Sequence, residues 1–382
     1  MTGTAWGPMR LSPASPWRQR QIISKAFENP PDAGSILRMD SLSQACLGAA
    51  VALATMQRRT EPWKAAAFGA LAGTLPDLDV LLDHGDPILN MVLHRAETHA
   101  LFWLALFSVP FGWLVAQAAR EAAQWQRWWA AMALALLTHP LLDAFTIYGT
   151  QLFLPFSAEP VGLGSIFIID PAYTLPLLLG VVAAVGLARR APAAALRLNA
   201  TGLVLSSAYI AWSVVAQTHV QTLARESLAA QGLKADRLLV SPTPFNTLLW
   251  RVVAVDEGSS SYSEGFYSLL DAPAQPAARI AFDRFERGNA LAVELAGHDG
   301  VRRIQAFSGG LWAMRETENR IRISDLRMGQ EPGYVFAFEV AERHSPPQPI
   351  SPSVAVGGRA DAGPALAWLW RRLLGEPLPP PR

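Results

Sequence analysis

Apolar runs cover residues 42–56, 65–75 (continuing through 82), 99–119, 128–148, 172–188 and 198–216. A bilayer needs roughly 20 residues of apolar helix. The last four runs are long enough to span, and the first two are marginal, with a buried or re-entrant hairpin as their alternative. Beyond about residue 218 the texture changes. Residues 217–232 read as a helix leaving the membrane. Short alternating runs then follow at 236–240, 247–255, 262–270, 279–285, 290–295, 301–307, 310–317, 320–323 and 334–341, separated by Gly, Pro and Ser as antiparallel strands are. The pattern predicts an α-helical membrane bundle of four to six segments followed by a β-rich soluble C-terminal domain. The expected boundaries are a disordered tail or mis-called start at 1–38, the bundle at 39–217, the β-rich domain at 218–345 and a Pro-rich tail at 346–382. That tail carries a short amphipathic, interfacial-type helix at 365–374 and an unstructured terminus.

Composition agrees with two unlike halves. The chain is 51% hydrophobic with 13 Trp among 382 residues, rich for a soluble protein and moderate for a wholly membrane one. Lys+Arg 32 against Asp+Glu 31 leaves no basic field of the kind nucleic acid requires. One cysteine, Cys46, excludes both an internal disulfide and a thiolate metal cluster. Arg58, Arg59 and Lys64, then Arg120 and Arg127, then Arg189, Arg190 and Arg197 occupy alternate loops. If all six segments cross, these loops share one side, which their positive charge marks as cytoplasmic, with Trp63, Trp125, Trp128 and Trp129 as anchors. The 76–99 loop and everything after the sixth segment fall on the opposite face. The basic residues of 1–38 conflict with this topology, and a start at Met39 removes the conflict.

Against that background the polar residues of 76–99 stand out. Asp77, Asp79, Asp83, Asp86, Glu97, His84, His94 and His99 crowd a loop between apolar runs, a costly density unless a cation or protons offset the charge. His139 and Asp143, four apart, share a helix face, though a hydrogen-bonded His–Asp pair is the plainer alternative. Pro76 implies a turn on which Asp77 and Asp79 can converge, and Thr98 is a possible N-cap. The expected topology gathers these groups at one membrane face. That mixture of imidazole and carboxylate suits Zn²⁺, with Mn²⁺ or Fe²⁺ also accepted. Asp83 and Glu97 are the candidate general bases and Arg95 the candidate phosphate contact. Tyr148, Thr150 and Gln151 are candidates to line the entrance, and the β-rich domain a candidate cover.

MDSLSQACLGAA (39–50), GALAGTLPDLDVL (69–81), HRAETHAL (94–101) and HPLLDAFTIYGTQLFLPFS (139–157), with LLWRVVA (248–254) and GFYSLLD (265–271), resemble the membrane-bound metal-dependent hydrolase family, described as LexA-binding, inner-membrane-associated hydrolases. The resemblance implies a bacterial inner-membrane enzyme related to zinc-dependent phospholipases C. Its metal ligands by position are Asp77, Asp79, His94, His99, His139 and Asp143. It also implies a protein partner of the LexA type, while a site at the bilayer edge suggests a lipid-like ester or phosphoester substrate. Gln44 departs from the family pattern, which has His there and so one more ligand. The competing readings are a non-catalytic scaffold with a structural metal and an ion or proton transporter. Clustering of the acids at one face speaks against the transporter.

Overall fold

The computed structural model describes residues 33–167, 169–272, 280–358 and 362–382. The chain divides into compact units at 1–39 and 40–382, and the site and both sheets belong to the second. Of the expected tail, residues 1–32 lie outside the described residues, and 33–38 begin a helix. The helical half comprises α1 (Ala33–Met56), α2 (Pro62–Thr74), α3 (Pro87–Leu93), α4 (Leu101–Ala118), α5 (Trp125–Asp143), α6 (Pro171–Leu187) and α7 (Pro192–Ala230). Pro62, Pro87, Pro171 and Pro192 each start their helix, where a missing N–H costs nothing. Small residues let α1 and α2 touch backbone to backbone. A Cβ on Gly48 would fall 2.2 Å from the Gly69 carbonyl oxygen, and one on Gly73 would fall 2.4 Å from that of Gln44. That crossing brings Gln44 and the end of α2 together. The bundle core is Leu53, Met56, Trp128, Met132 and Leu136, all buried.

Among the described residues two helices, α4 and α7, are long and apolar enough to cross a membrane, rather than four to six. The shortfall has local causes. The 128–148 run stops being helical at Asp143, the 172–188 run yields a helix of 17 residues, and α2 has 13. Neither α4 nor α7 is a soluble core helix, because only 28% and 22% of their apolar windows are buried. Leu106, Phe107, Trp113 and Leu114 on α4, and Val204, Leu205, Trp212 and Val215 on α7, point outward. Such faces suit lipid.

The C-terminal half holds two four-stranded antiparallel sheets. One has the order β1 (Arg237–Pro242), β2 (Leu249–Val255), β3 (Ser261–Ser268), β4 (Phe282–Glu286). The other has the order β10 (Gln348–Ala355), β9 (Ala337–Glu342), β6 (Arg320–Asp325), β5 (Trp312–Thr317), and β7 (Gly329–Gln330) with β8 (Gly333–Tyr334) forms a small ribbon. Two expected strands are helices. Residues 290–295 lie largely in α8 (Asn289–Glu294) and 301–307 in α9 (Asp299–Phe307). The second run buries Val301, Ile304 and Phe307, three apart, a helical spacing. His298 caps it by accepting from the Val301 N–H. The expected Pro-rich tail contributes β10 and α10 (Ala362–Leu373). Its terminus is docked, with the Arg382 guanidinium on Asp283 at 2.6 Å and over the Phe285 ring.

The β half is not a detached domain. The second half of α7 packs Ala216, Val220 and Leu223 against Val240, Trp250 and Val252. Ile88, Met91 and Tyr148 from the helical half share a core with Val301, Ile304, Phe307 and Ile323. Burying each large side chain there is worth about 1.5–3 kcal/mol, so this joint fixes the 76–99 segment beneath the β half.

Candidate metal centre

The end of α2, a 3₁₀ turn, the start of α4 and the end of α5 meet at one point. After Pro76 the chain winds as a 3₁₀ helix, Pro76–Leu81. Three residues per turn set Asp77 and Asp79 about 120° apart, so both carboxylates reach the same group of histidines. Arg95 sits at φ 65°, a left-handed conformation uncommon for a side-chain-bearing residue. The reversal there returns the chain so that the turn Glu97–His99 aims His99 inward. On α5, His139 and Asp143 project from one face, one turn apart.

Asp77, His99, His139 and Asp143 are all buried, and one ligand atom from each lies within 4.8 Å of the others. His99 Nε2 stands 3.3 Å from Asp77 Oδ1 and 3.3 Å from Asp143 Oδ2. His139 Nε2 stands 3.3 Å from the same two oxygens, and the two Nε2 atoms are 3.1 Å apart. A tetrahedral shell with bonds of about 2.0–2.1 Å has edges of about 3.3–3.4 Å. Five of the six separations in the set, at 3.1–3.3 Å, are close to those edges.

Neighbouring hydrogen bonds set the state of each ligand. His139 Nδ1 lies 2.6 Å from the Gly73 carbonyl oxygen, which can only accept, so the proton is on Nδ1. The Thr98 hydroxyl donates to Asp79 Oδ2 at 2.8 Å and thus accepts from His99 Nδ1 at 2.9 Å. Both rings then turn Nε2 into the same space, each facing an oxygen of Asp77 and one of Asp143. Gln44 Nε2 donates to Asp143 Oδ1 at 2.9 Å, and the Arg95 guanidinium stands 3.3 Å from that same oxygen. Among the described residues one guanidinium stands beside the three carboxylates Asp77, Asp79 and Asp143. Two imidazoles converging on two buried carboxylates make a donor set that fits a divalent cation.

The remaining sequence candidates take other places. Asp79 and His94 sit beside the four-atom set, paired with each other at 2.8 Å through His94 Nδ1. Burial pushes the Asp79 carboxyl up, but the hydrogen bond and charge of His94 outweigh it and hold it below the usual range. Arg95 is buried against Asp143 and Thr146 and lies under the Tyr148 ring. Asp83 is exposed and binds the Asn90 amide and the Gly85 N–H, which hold its carboxyl low and make it a weak base. Glu97 is exposed on the turn leading to His99. His84 is exposed, and Asp86 caps α3. Tyr148 is buried, its hydroxyl donating to the Met91 carbonyl, and Thr150 and Gln151 are buried beside it. Thr98 does not cap α4; its hydroxyl orients Asp79 and His99 instead. Three supports escaped the sequence reading: the Gly73 carbonyl, the Thr98 hydroxyl and the Gln44 amide as a donor. The small-residue spacing of 69–73 was the available signal for the first.

Comparison with known proteins finds two partial matches. The YdjM inner membrane protein family's sequence model matches residues 39–220. The YdjM match takes in every residue of the metal centre and stops within α7, short of both sheets. An uncharacterized protein of Bacillus subtilis (strain 168), YfhP, is 32% identical over 109 residues, covering 27% of this chain and 32% of that protein. The chain thus spans about a third of the length of that relative. No solved structure matches. The YdjM match and the outward apolar faces of α4 and α7 together support membrane association.

Proposed function

We propose that the protein is a bacterial inner-membrane metal-dependent hydrolase acting on an ester or phosphoester, lipid-like substrate. The observation that carries this reading is the convergence of Asp77, His99, His139 and Asp143, each offering one ligand atom within 4.8 Å of the others. Zn²⁺ suits two imidazoles and two carboxylates best, and Mn²⁺ or Fe²⁺ is also accepted. A bound divalent ion supplies Lewis acidity toward the substrate oxygen and a lower pKa for water.

The chain's own residues do the rest. Gln44 and Arg95 hold Asp143 through Oδ1 and so aim Oδ2; Arg95 acts as a positioning residue. His94 is partly exposed and oriented by Asp79, the geometry of a group that takes and returns a proton. It is a better proton carrier than Asp83, whose carboxylate is already engaged. Aromatic and apolar side chains from the β half, Phe307 and Phe336, pack on Tyr148 and keep bulk water away from the centre. The outward faces of α4 and α7 favour a substrate arriving through lipid.

Elemental analysis of purified protein, wild type beside His139→Ala and Asp77→Ala, joined to a lipase and phosphodiesterase screen, tests this. About one ion per wild-type chain, lost in both variants together with turnover, is expected. Metal-free wild-type protein would end the reading. A second reading, a scaffold with a structural metal and a partner of the LexA type, draws on one specific observation. Four buried protein ligands leave no open position, as in structural sites. Stoichiometric metal without turnover on any substrate would select it.

A further inference from the structure

α10 is apolar on two faces. Its inner face sets Trp368, Leu369 and Leu373 against Leu249 and Phe266 of the first sheet. Arg372 ties it down through Asp271 at 2.7 Å and the Phe266 carbonyl. Leu366, Trp370 and Leu374, each four residues on from the last, form a second stripe that is 51%, 63% and 53% exposed. A helix that is apolar on both sides requires something to cover each.

What lies around that stripe identifies the cover. A Cβ on Gly375, at φ 91°, would fall 2.7 Å from the Leu270 carbonyl oxygen, so the two backbones lie close, and Leu270 is itself half exposed. The neighbouring Leu269 N–H donates to the Leu248 carbonyl at 2.8 Å. One residue before Leu248, Thr247 takes the Trp212 indole N–H at 3.2 Å and meets the Tyr209 hydroxyl at 3.0 Å. Phe245 in the same loop is 42% exposed. Trp212 and Tyr209 sit where α7 passes from its outward apolar stretch to its contact with the sheet, the level at which aromatic residues mark a membrane–water boundary. Hydrogen bonds thus tie the aromatic end of the outward stretch of α7 to the loop and strands that carry Phe245 and Leu270, beside α10.

We propose that α10 is an interfacial membrane helix: Leu366, Trp370 and Leu374, with Phe245 and Leu270, rest in the headgroup–acyl boundary of the bilayer that α7 crosses. A short Trp- and Leu-bearing helix lying in that plane gains the transfer energy of its apolar face. It pins the β half against the membrane and holds the roof over the metal centre in a fixed orientation. The inference rests on membrane association alone and not on hydrolysis.

The test uses full-length protein in bilayers of phosphatidylethanolamine and phosphatidylglycerol. An environment-sensitive fluorophore is attached in turn at Trp370→Cys, Leu366→Cys, Val204→Cys on α7 and Arg302→Cys on exposed α9. Quenching by shallow and deep spin-labelled lipids reads depth. The expected result is strong quenching at 370 and 366 by the shallow lipid, weaker by the deep one, deep quenching at 204, and none at 302. Labels at 370 and 366 that behave like 302 overturn the proposal while leaving membrane association intact. Shielding from water without lipid quenching also overturns it and assigns the stripe to a protein partner or a second copy. Loss of quenching at 204 as well overturns both.

Discussion

In the β half, Arg251 and Glu264 are both buried, and every charge has its answer. The guanidinium donates to the carboxylate at 2.8 Å and to the Leu326 carbonyl at 2.7 Å. Glu331 is met by Arg315 and by the Tyr262 hydroxyl, and Arg382 reaches both Glu264 and Asp283, so three cations face three anions. In the helical half, Asp77, Asp79 and Asp143 stand beside one guanidinium among the described residues, and the Nε2 atoms of His99 and His139 lie 3.1 Å apart between Asp77 and Asp143. Both clusters are buried. The first matches each anion with a guanidinium; the second gathers imidazoles and carboxylates around one point, as a cation site does. Burial of charge by itself does not mark a functional site, but imidazoles and carboxylates converging on one point do.

Several measurements can break or sharpen that contrast. The largest effect is expected from His139→Ala or Asp143→Ala, which should take bound metal from about one ion per chain to near none, while Glu264→Gln leaves it unchanged. A ligand variant that keeps its metal would place the ion elsewhere. Next, Glu264→Ala strands the buried Arg251 guanidinium and should cost about 3–5 kcal/mol in detergent-solubilised unfolding. The double change Arg251→Met with Glu264→Leu should restore most of that, because no charge is left without a partner. If the double variant is as unstable as the single one, the network is held by something other than charge pairing.

His94→Gln separates binding from chemistry. Metal content should persist while turnover falls on the order of 10²–10⁴-fold; loss of metal in this variant would make His94 a ligand instead. Gln44→Ala removes one donor to Asp143 Oδ1 and should weaken metal affinity about 10–100-fold, as read by competition with a chelating dye. The smallest effect belongs to Asp83→Asn, exposed and outside the cluster, with stability shifted by less than about 0.5 kcal/mol and metal content unaltered. A drop in metal there would show that the loop reaches the centre in solution.

Much of the site was legible because its chemistry is local in sequence. His139 and Asp143 are one helical turn apart on any helix, and Pro76 ends α2 wherever that helix packs. Asp77 and His99 joined them because the ends of successive helices share a level. What failed were quantities that depend on neighbours. Apolar length suggested four to six spans, yet the 128–148 run ends at Asp143, where the chain turns to build the site. The 301–307 run alternates well enough to pass as a strand, but its partners on β6 and α3 bury positions three apart. Gln44 read as a missing ligand because sequence gives residue type and not direction; its amide turned out to donate to a ligand.

The order of motifs along the chain determined which residue types could meet and that a cation suits them, since donor chemistry and helical period are properties of the chain itself. Only the tertiary structure decided which four atoms form the shell and which carboxylate remains outside it. It also decided that α9 and the segment before β9 pack over Tyr148 beside the centre. Those outcomes turn on tenths of an ångström between distant segments, set by the Gly48–Gly69 backbone contact, the left-handed turn at Arg95 and the seam of Tyr148 against Phe307. No local preference of the chain encodes such distances, because they exist only once the elements have packed.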